Sequence, residues 1–309
     1  MTKVFIDGGA GTTGLRINER LNGRKDIELI ILPEETRKDL YARKEALNSA
    51  DIAILCLPDD AAIEAVSLIE NTNTAVIDTS TAHRTNPSFD YGFPEIGKRR
   101  ERIRNSKRIA NPGCHASGFI ALCEPLVSAG IISKEAHLSC FSLTGYSGGG
   151  KKMIAEYEGE NRNTLLDSPR AYGISQKHKH LPEMSVITGM TIKPVFLPVV
   201  GDFYSGMEVT VPLFESNIKG NIEDIRNIYR EYYRGERLVH FDENADEGGF
   251  LASNAYSGRD DMQICVNGSD GRIILTARYD NLGKGASGSA LQNLNILMGV
   301  DETTGLVTE

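Results

Sequence analysis

Four short apolar runs in the first third of the chain, KVFID, IELIIL, DIAILCLP and TAVIDT, alternate with LRINERL, RKDLYARKEALNSA and DDAAIEAVSLIE, where apolar residues recur at helical spacing. No other feature restricts the fold as tightly. The short β-branched runs read as strands and the stretches between them as amphipathic helices. Strands joined through helices form βαβ units, and βαβ units build a parallel sheet covered on both faces.

The first of these units carries a loop with chemistry in it. KVFIDGGAGTTGLRI offers a strand, then Gly8, Gly11 and Gly14, then a helix. That is the context of a dinucleotide-binding turn. Gly8 permits the tight turn, Gly11 lets backbone amides approach a pyrophosphate, and Gly14 lets the helix sit close to the strand. The helix start adds partial positive charge and amide donors. The spacing is GxxGxxG, which accommodates a longer turn than GxGxxG. At the end of the second strand, Glu34 and Glu35 are followed by Arg37 and Lys38. Two cations there suit a 2′-phosphate, so NADP is the expected cofactor, against a solvated charged turn as the bland alternative.

Beyond residue 136 the pattern changes. HLSCFSLTG alternates strictly, TIKPVFLPVV and MEVTVPLF read alike, and RLVHF, MQICVNG and RIILTARYD follow one clear helix, NIEDIRNIYREYYRG. Many strands with few helices predict an α+β unit on a mostly antiparallel sheet. The late stretch ASGSALQNLNILMGV is helical again and is expected to return to the first sheet. The expected class is therefore α/β. A Rossmann-type dinucleotide-binding domain takes residues 1–113 and 286–309, and an α+β substrate and dimerisation domain takes 114–285. A chain of 309 residues is long enough for both.

Charge and cysteine content exclude several functions. The net charge is −8 with no basic block, which argues against nucleic acid as a partner. No apolar run is long enough for a bilayer, and MTKVFIDGG lacks a signal-peptide layout. Five scattered cysteines point to reduced thiols and a cytoplasmic protein. No metal is expected.

One cysteine stands apart. In IANPGCHASGFIALCEP, Pro112 and Gly113 make a turn and Phe119, Ile120, Leu122, Cys123 and Leu126 follow helical spacing. Cys114 thus falls on the first turn of a helix, where amides and the dipole stabilise a thiolate. The same amides would steady an oxyanion. Cys56, Cys123, Cys140 and Cys265 lie inside apolar runs and read as core. A thiolate nucleophile wants a base. His137 and His240 lie in strand-like runs, and His83 and His115 are pocket candidates. His178 and His180 precede a Pro-Glu pair that reads as a helix start. His180 is favoured as acid/base, with His178 open. An HxH pair suits a metal, but no third ligand is suggested nearby.

These stretches together resemble the N-acetyl-gamma-glutamyl-phosphate reductase family, in its shorter subtype. GGAGTTG, IANPGCHASGFIALCEP and KHKHLPEM are similar to its cofactor loop, nucleophile signature and histidine motif. YGFPEI, GYSGGGKK and DNLGKGASG occur in the family's order. The resemblance implies NADPH-dependent reduction of N-acetyl-L-glutamyl 5-phosphate to the 5-semialdehyde and phosphate within arginine biosynthesis. It makes Cys114 the nucleophile and a histidine of KHKH the acid/base. Arg84 would hold phosphate, with Ser147, Gly148 and Lys151 at the substrate. Asn281, Gly283 and Lys284 would line the nicotinamide end. Thr12, Thr13 and Ser80 join the cofactor set. The partners expected are a small acyl phosphate, inorganic phosphate and further copies of the chain, as a homodimer or homotetramer. Two rival readings stay open: an aspartyl- or aminoadipyl-phosphate reductase of the same mechanism, and a non-catalytic NADP-sensing regulator.

Overall fold

The computed structural model describes residues 1–308. The chain divides into two compact units. One holds Met1–Pro94, Lys98–Pro112 and Ala286–Leu306, and the other holds Glu95–Gly97, Gly113–Gly285 and the residues from Val307 on.

The first unit runs β1 (Thr2–Asp7), α1 (Thr12–Leu21), β2 (Ile27–Ile30), α2 (Leu40–Ser49), β3 (Ile52–Leu55), α3 (Asp59–Ser67), β4 (Ala75–Asp78), β5 (Asp90–Tyr91), α4 (Arg99–Asn105) and β6 (Arg108–Ala110). All its strand pairings are parallel, in the order β2-β1-β3-β4-β6-β5. Every residue of β3 and β4 is buried, which is why IAIL and AVID do not alternate. Successive residues feed opposite faces. Val4 and Ile54 join one core with Ile17, Ile77 and Ile109, while Phe5 and Leu55 join another with Leu47 and Val76.

The second unit runs α5 (Cys114–Ser128), β7 (Ser139–Gly145), α6 (Gly150–Glu158), β8 (Arg170–Ala171), α7 (Leu181–Thr188), β9 (Val195–Gly201), β10 (Met207–Phe214), α8 (Ile222–Tyr232), β11 (Val239–Phe241), β12 (Met262–Ser269) and β13 (Arg272–Tyr279). The sheet order is β11-β12-β13-β10-β7-β9-β8. Only the β11–β12 and β7–β9 pairings are parallel, so the sheet is mostly antiparallel. The last helix, α9 (Gly288–Met298), belongs to the first unit, where Leu291 and Leu294 pack with Val4 and Ile17.

Helix α5 lies across β10 and β13, and α8 lies against β12. From His115 to Val127 every residue of α5 is buried. A helix buried all round has no solvent to satisfy stray backbone groups. Pro125 lacks the N–H that the Ala121 carbonyl would accept, and the Tyr233 hydroxyl donates to that carbonyl instead, at 2.7 Å. The opposite face of the sheet is open over several strands. The register sets Leu197 beside Phe141, Phe141 beside Thr210, and Pro212 beside Ile274. Val195, Leu197, Phe214 and Ile274 are exposed there at 64%, 43%, 63% and 43%.

Candidate active site

In the first unit the glycine loop forms a cradle. Gly8 has φ +85°, and a Cβ on it would stand 2.3 Å from the Cys56 carbonyl oxygen, so only glycine fits. A Cβ on Gly14 would meet the Gly8 oxygen at 2.7 Å, which fixes how closely α1 approaches β1. Gly11 is different. Its nearest would-be contact is 3.6 Å away, so packing inside the protein does not require a glycine there. Gly11 is the N-cap of α1, no side chain caps that end, and Thr12 and Thr13 open the helix. A cavity of about 610 Å³ opens over Gly8, Gly9 and Ala10, the end of β2, and Arg37 and Lys38. A helix start without a side-chain cap suits a pyrophosphate, and two cations lining the cavity suit a further phosphate. The residues present therefore fit a phosphorylated dinucleotide. Arg37 also pairs with Glu34 at 2.8 Å, so the acidic residue of this turn is engaged with the cation.

The segment after β4 is shaped by one buried carboxylate. Asp78 accepts the Ser80 amide at 2.9 Å and the Ser80 hydroxyl at 2.7 Å. It also meets His83 Nδ1 at 2.6 Å, and the His83 ring stacks on Phe89 at 4.2 Å. Ser80 in turn accepts the Ala82 amide at 3.1 Å. The half-buried Arg84 donates to the Thr79 and Asn111 carbonyls, each at 3.0 Å. Ser80 and His83 thus shape the loop that carries Arg84.

In the second unit Cys114 is the first residue of α5, and Gly113 is an N-cap without a side-chain cap. The other thiols are held protonated. Cys123, Cys140 and Cys265 are buried, which raises all three, Cys265 up to about 11, and Cys56, although half-buried, is pushed up to about 12 by desolvation. Cys114 is partly exposed, and no described cysteine is in a disulfide. Three contacts that the sequence did not disclose hold its backbone. The Gly113 amide donates to buried Glu183 at 2.7 Å, which ties the start of α5 to the start of α7. The Tyr279 hydroxyl enters the first turn of α5, donating to the Cys114 carbonyl at 2.5 Å and accepting from the Gly118 amide at 2.9 Å. Gly118 leaves room for it, since a Cβ there would stand 2.7 Å from that hydroxyl. Gly285 packs on the nucleophile itself: a Cβ on it would lie 3.0 Å from the Cys114 Cβ.

The structure gathers His115, His178 and His180 into one cluster, with ring centroids 4.8 to 5.8 Å apart. His180 is the N-cap of α7, as the Pro-Glu pair suggested, and is buried. His178 is half-buried, and its Nδ1 accepts the His180 amide at 3.2 Å. Burial and the neighbouring Lys179 hold His178 below the ordinary histidine range. Among the described residues, no group of three His, Cys, Asp or Glu side chains is placed to hold a metal.

Of the remaining candidates, Asn281, Ser147, Gly283 and Lys284 have contacts inside the second unit. Asn281 is buried, donates to the Ser147 hydroxyl at 3.0 Å and accepts the Gly206 amide at 2.9 Å. A Cβ on Gly283 would reach the Arg259 oxygen at 1.9 Å. Lys284 pairs with Glu95 at 2.7 Å, both fully buried. Breaking a buried pair typically costs about 3–5 kcal/mol, so this one acts first on folding. Gly148 and Lys151 are exposed, where a short 3-10 turn (Tyr146–Gly149) passes into α6.

Two family models match the chain. One is described as the semialdehyde dehydrogenase NAD-binding domain and covers residues 3–106; the other, the dimerisation domain of the same family, covers 114–281. The N-acetyl-gamma-glutamyl-phosphate reductase 2 of a Nostoc species is 43% identical, over 98% of this chain and 99% of that protein. The N-acetyl-gamma-glutamyl-phosphate reductase of Brucella ovis is 44% identical, over 96% of this chain and 99% of that protein. Among solved structures, aspartate semialdehyde dehydrogenase II of Vibrio cholerae, complexed with ASA, superposes with a TM-score of 0.73 at 17% identity, over 97% of this chain and 98% of that one. The Candida albicans enzyme with NADP superposes at 0.67 and 16% identity, over 96% of this chain and 98% of that one. Likeness at that identity establishes the fold.

Proposed function

The chain belongs to the N-acetyl-gamma-glutamyl-phosphate reductase family, and from that premise we propose that it reduces N-acetyl-L-glutamyl 5-phosphate to N-acetyl-L-glutamate 5-semialdehyde and phosphate through a thioester on Cys114. The observation that carries this reading is the position of Cys114. It is a partly exposed thiol on the first turn of a helix that has no side-chain N-cap, whereas Cys123, Cys140 and Cys265 are buried and Cys56, half-buried after β3, is kept protonated by desolvation.

The Cys114 thiolate attacks the acyl carbon, a C–S bond forms, and the C–O bond to phosphate breaks with its electron pair on the leaving phosphate. Amides at the start of α5 steady the intervening oxyanion. The thioester keeps the acyl carbon activated, with weaker resonance than an oxygen ester, and tethers it to the protein for hydride transfer. The glycine loop, Arg37 and Lys38 would hold NADPH by its phosphates, and the cofactor would supply that hydride. His180 gives a proton to the new alkoxide, then takes it back as the C–S bond breaks and the aldehyde and thiolate separate. Arg84 is the phosphate-holding cation of this scheme, oriented by its two carbonyl contacts.

Arg37→Ala should weaken NADPH binding about tenfold and NADH binding little, as expected for one lost charge-assisted contact. Equal losses for the two nucleotides would remove the 2′-phosphate role. The open sheet face is the seat of a second copy of the chain, supported by its exposed apolar row and by the family description of residues 114–281 as a dimerisation domain. Sedimentation should show a dimer, and Leu197→Glu should shift it to monomer; a monomeric wild-type protein contradicts this. A reducing cytoplasm suits a chain whose described cysteines form no disulfide.

The reaction is tested in reverse with N-acetyl-L-glutamate 5-semialdehyde, NADP and inorganic phosphate, following nicotinamide absorbance. Turnover should require all three. Replacing the substrate by aspartate semialdehyde should lower kcat/KM by orders of magnitude, and equal rates would overturn the substrate assignment.

A further inference from the structure

Next to the nucleophile stands a histidine that the reaction scheme does not use. His115 is buried at 3% exposure, and both its ring nitrogens are engaged. Nδ1 lies 2.6 Å from the Ser142 hydroxyl and Nε2 lies 2.6 Å from the Tyr172 hydroxyl. The three side chains come from separate elements. Ser142 is on β7, beside Pro198 of β9, and the Tyr172 amide bonds the Pro198 carbonyl at 3.0 Å. The imidazole therefore reaches from α5 over β9 and links residues on the two sides of that strand.

We propose that the Ser142–His115–Tyr172 chain is a positioning relay that presents the Tyr172 hydroxyl as a hydrogen-bond donor to negative charge at Cys114. A neutral imidazole donates at one nitrogen and accepts at the other, so the chain has two senses. In one, Tyr172 gives its proton to Nε2 and has none for a third group. In the other, Ser142 donates to Nδ1, Nε2–H donates to Tyr172, and the phenolic proton is left to point outward. An anion on Cys114 selects the second sense, because it aims the O–H dipole at the charge.

Two further observations agree. Burial, helped by the nearby His178, pushes His115 down to about 3, so the ring stays neutral at working pH and the relay keeps a defined direction. The Tyr172 ring packs into the histidine cluster, 6.0 Å from the His178 ring, and burial above all raises its phenol, so it keeps its proton. Other ionisable groups around the start of α5 include His178 and His180, Lys179 beside His178, Glu183 at the Gly113 amide, and Tyr279 at the Cys114 carbonyl.

The inference rests on the covalent reading of Cys114 for its catalytic meaning, and its test does not need turnover. The pH dependence of Cys114 alkylation by iodoacetamide, read by peptide mass spectrometry, reports the thiolate directly. Tyr172→Phe should move that profile up by about one pH unit, the size of one lost charge-assisted hydrogen bond. His115→Phe, which keeps a ring in place, should give a similar shift, and the double variant should shift no further than either single one. Ser142→Ala should move the profile in the same direction by less, and it is the milder variant should either ring substitution fail to fold. In turnover, Tyr172→Phe should lower kcat about tenfold with KM for the semialdehyde unchanged. Alkylation profiles of Tyr172→Phe and Ser142→Ala that overlay the wild type would overturn the relay. So would shifts from His115→Phe and Tyr172→Phe that add in full. Loss of the covalent role of Cys114 would leave these profiles intact, so the two failures are distinguishable.

Discussion

Cys114→Ser lowers turnover by at least about a thousandfold and leaves NADPH affinity within about twofold of wild type. Two losses multiply. A serine hydroxyl is essentially un-ionised at neutral pH, and the start of α5 provides amides and a dipole suited to an anion that serine does not form. Any ester that did form accepts hydride less readily than a thioester. Cofactor affinity is spared because the cradle is built from the glycine loop, the end of β2 and residues Arg37 and Lys38. The variant should also fold normally, since an oxygen replaces a sulfur at a partly exposed position. Fluorescence titration with NADPH and steady-state rates check both halves. A near-normal rate would rule out covalent catalysis at this residue.

His180→Asn costs about two to four powers of ten in kcat, the usual worth of a positioned acid/base, while His178→Asn costs less than about tenfold. The two rings lie side by side, so the ranking needs a physical reason. His178 accepts the His180 amide at Nδ1, so its neutral form carries the proton on Nε2. A second proton would set Nδ1–H against that N–H donor, and burial with Lys179 already disfavours the cation. His178 is thus a fixed donor. His180 heads α7, three residues before the Glu183 carboxylate that holds the Gly113 amide, so the same helix that carries it anchors the start of the nucleophile's helix. The pair of rates for the two variants, measured in both reaction directions, decides the assignment. A larger loss at His178 would transfer the acid/base role to it.

The parts of this site that the sequence displays are those that local geometry demands. Gly8 must adopt φ +85°, Gly14 must let a helix close on a strand, and Cys114 must follow a Pro-Gly turn to open a helix. Each need is met within a few residues, so each leaves a readable spacing. The parallel sheet was legible for a similar reason, because strands buried on both faces become unbroken apolar runs.

What stayed hidden is long-range. Tyr279 enters the first turn of α5 from a strand 165 residues away, and Gly285 sits against Cys114 from a turn far along the chain. Ser142 and Tyr172 are ordinary residues until His115 joins them across β9. Nothing in the spacing of DNLGKGASG announces that Lys284 pairs with Glu95, 189 residues away, in the interior. The spacing of residues along a chain carries no record of such meetings.

The central claim is a covalent acyl-enzyme on Cys114, and single-turnover trapping tests it most directly. N-acetyl-L-glutamate 5-semialdehyde and NADP, each in excess over protein, are mixed with it without phosphate, and the quenched chain is digested and weighed. The prediction is a rapid release of NADPH limited to about one equivalent per site, an acyl group on the peptide bearing Cys114, and its discharge on adding phosphate. NADPH formed with no acylated Cys114 peptide, or an acyl group on a different residue, would contradict it.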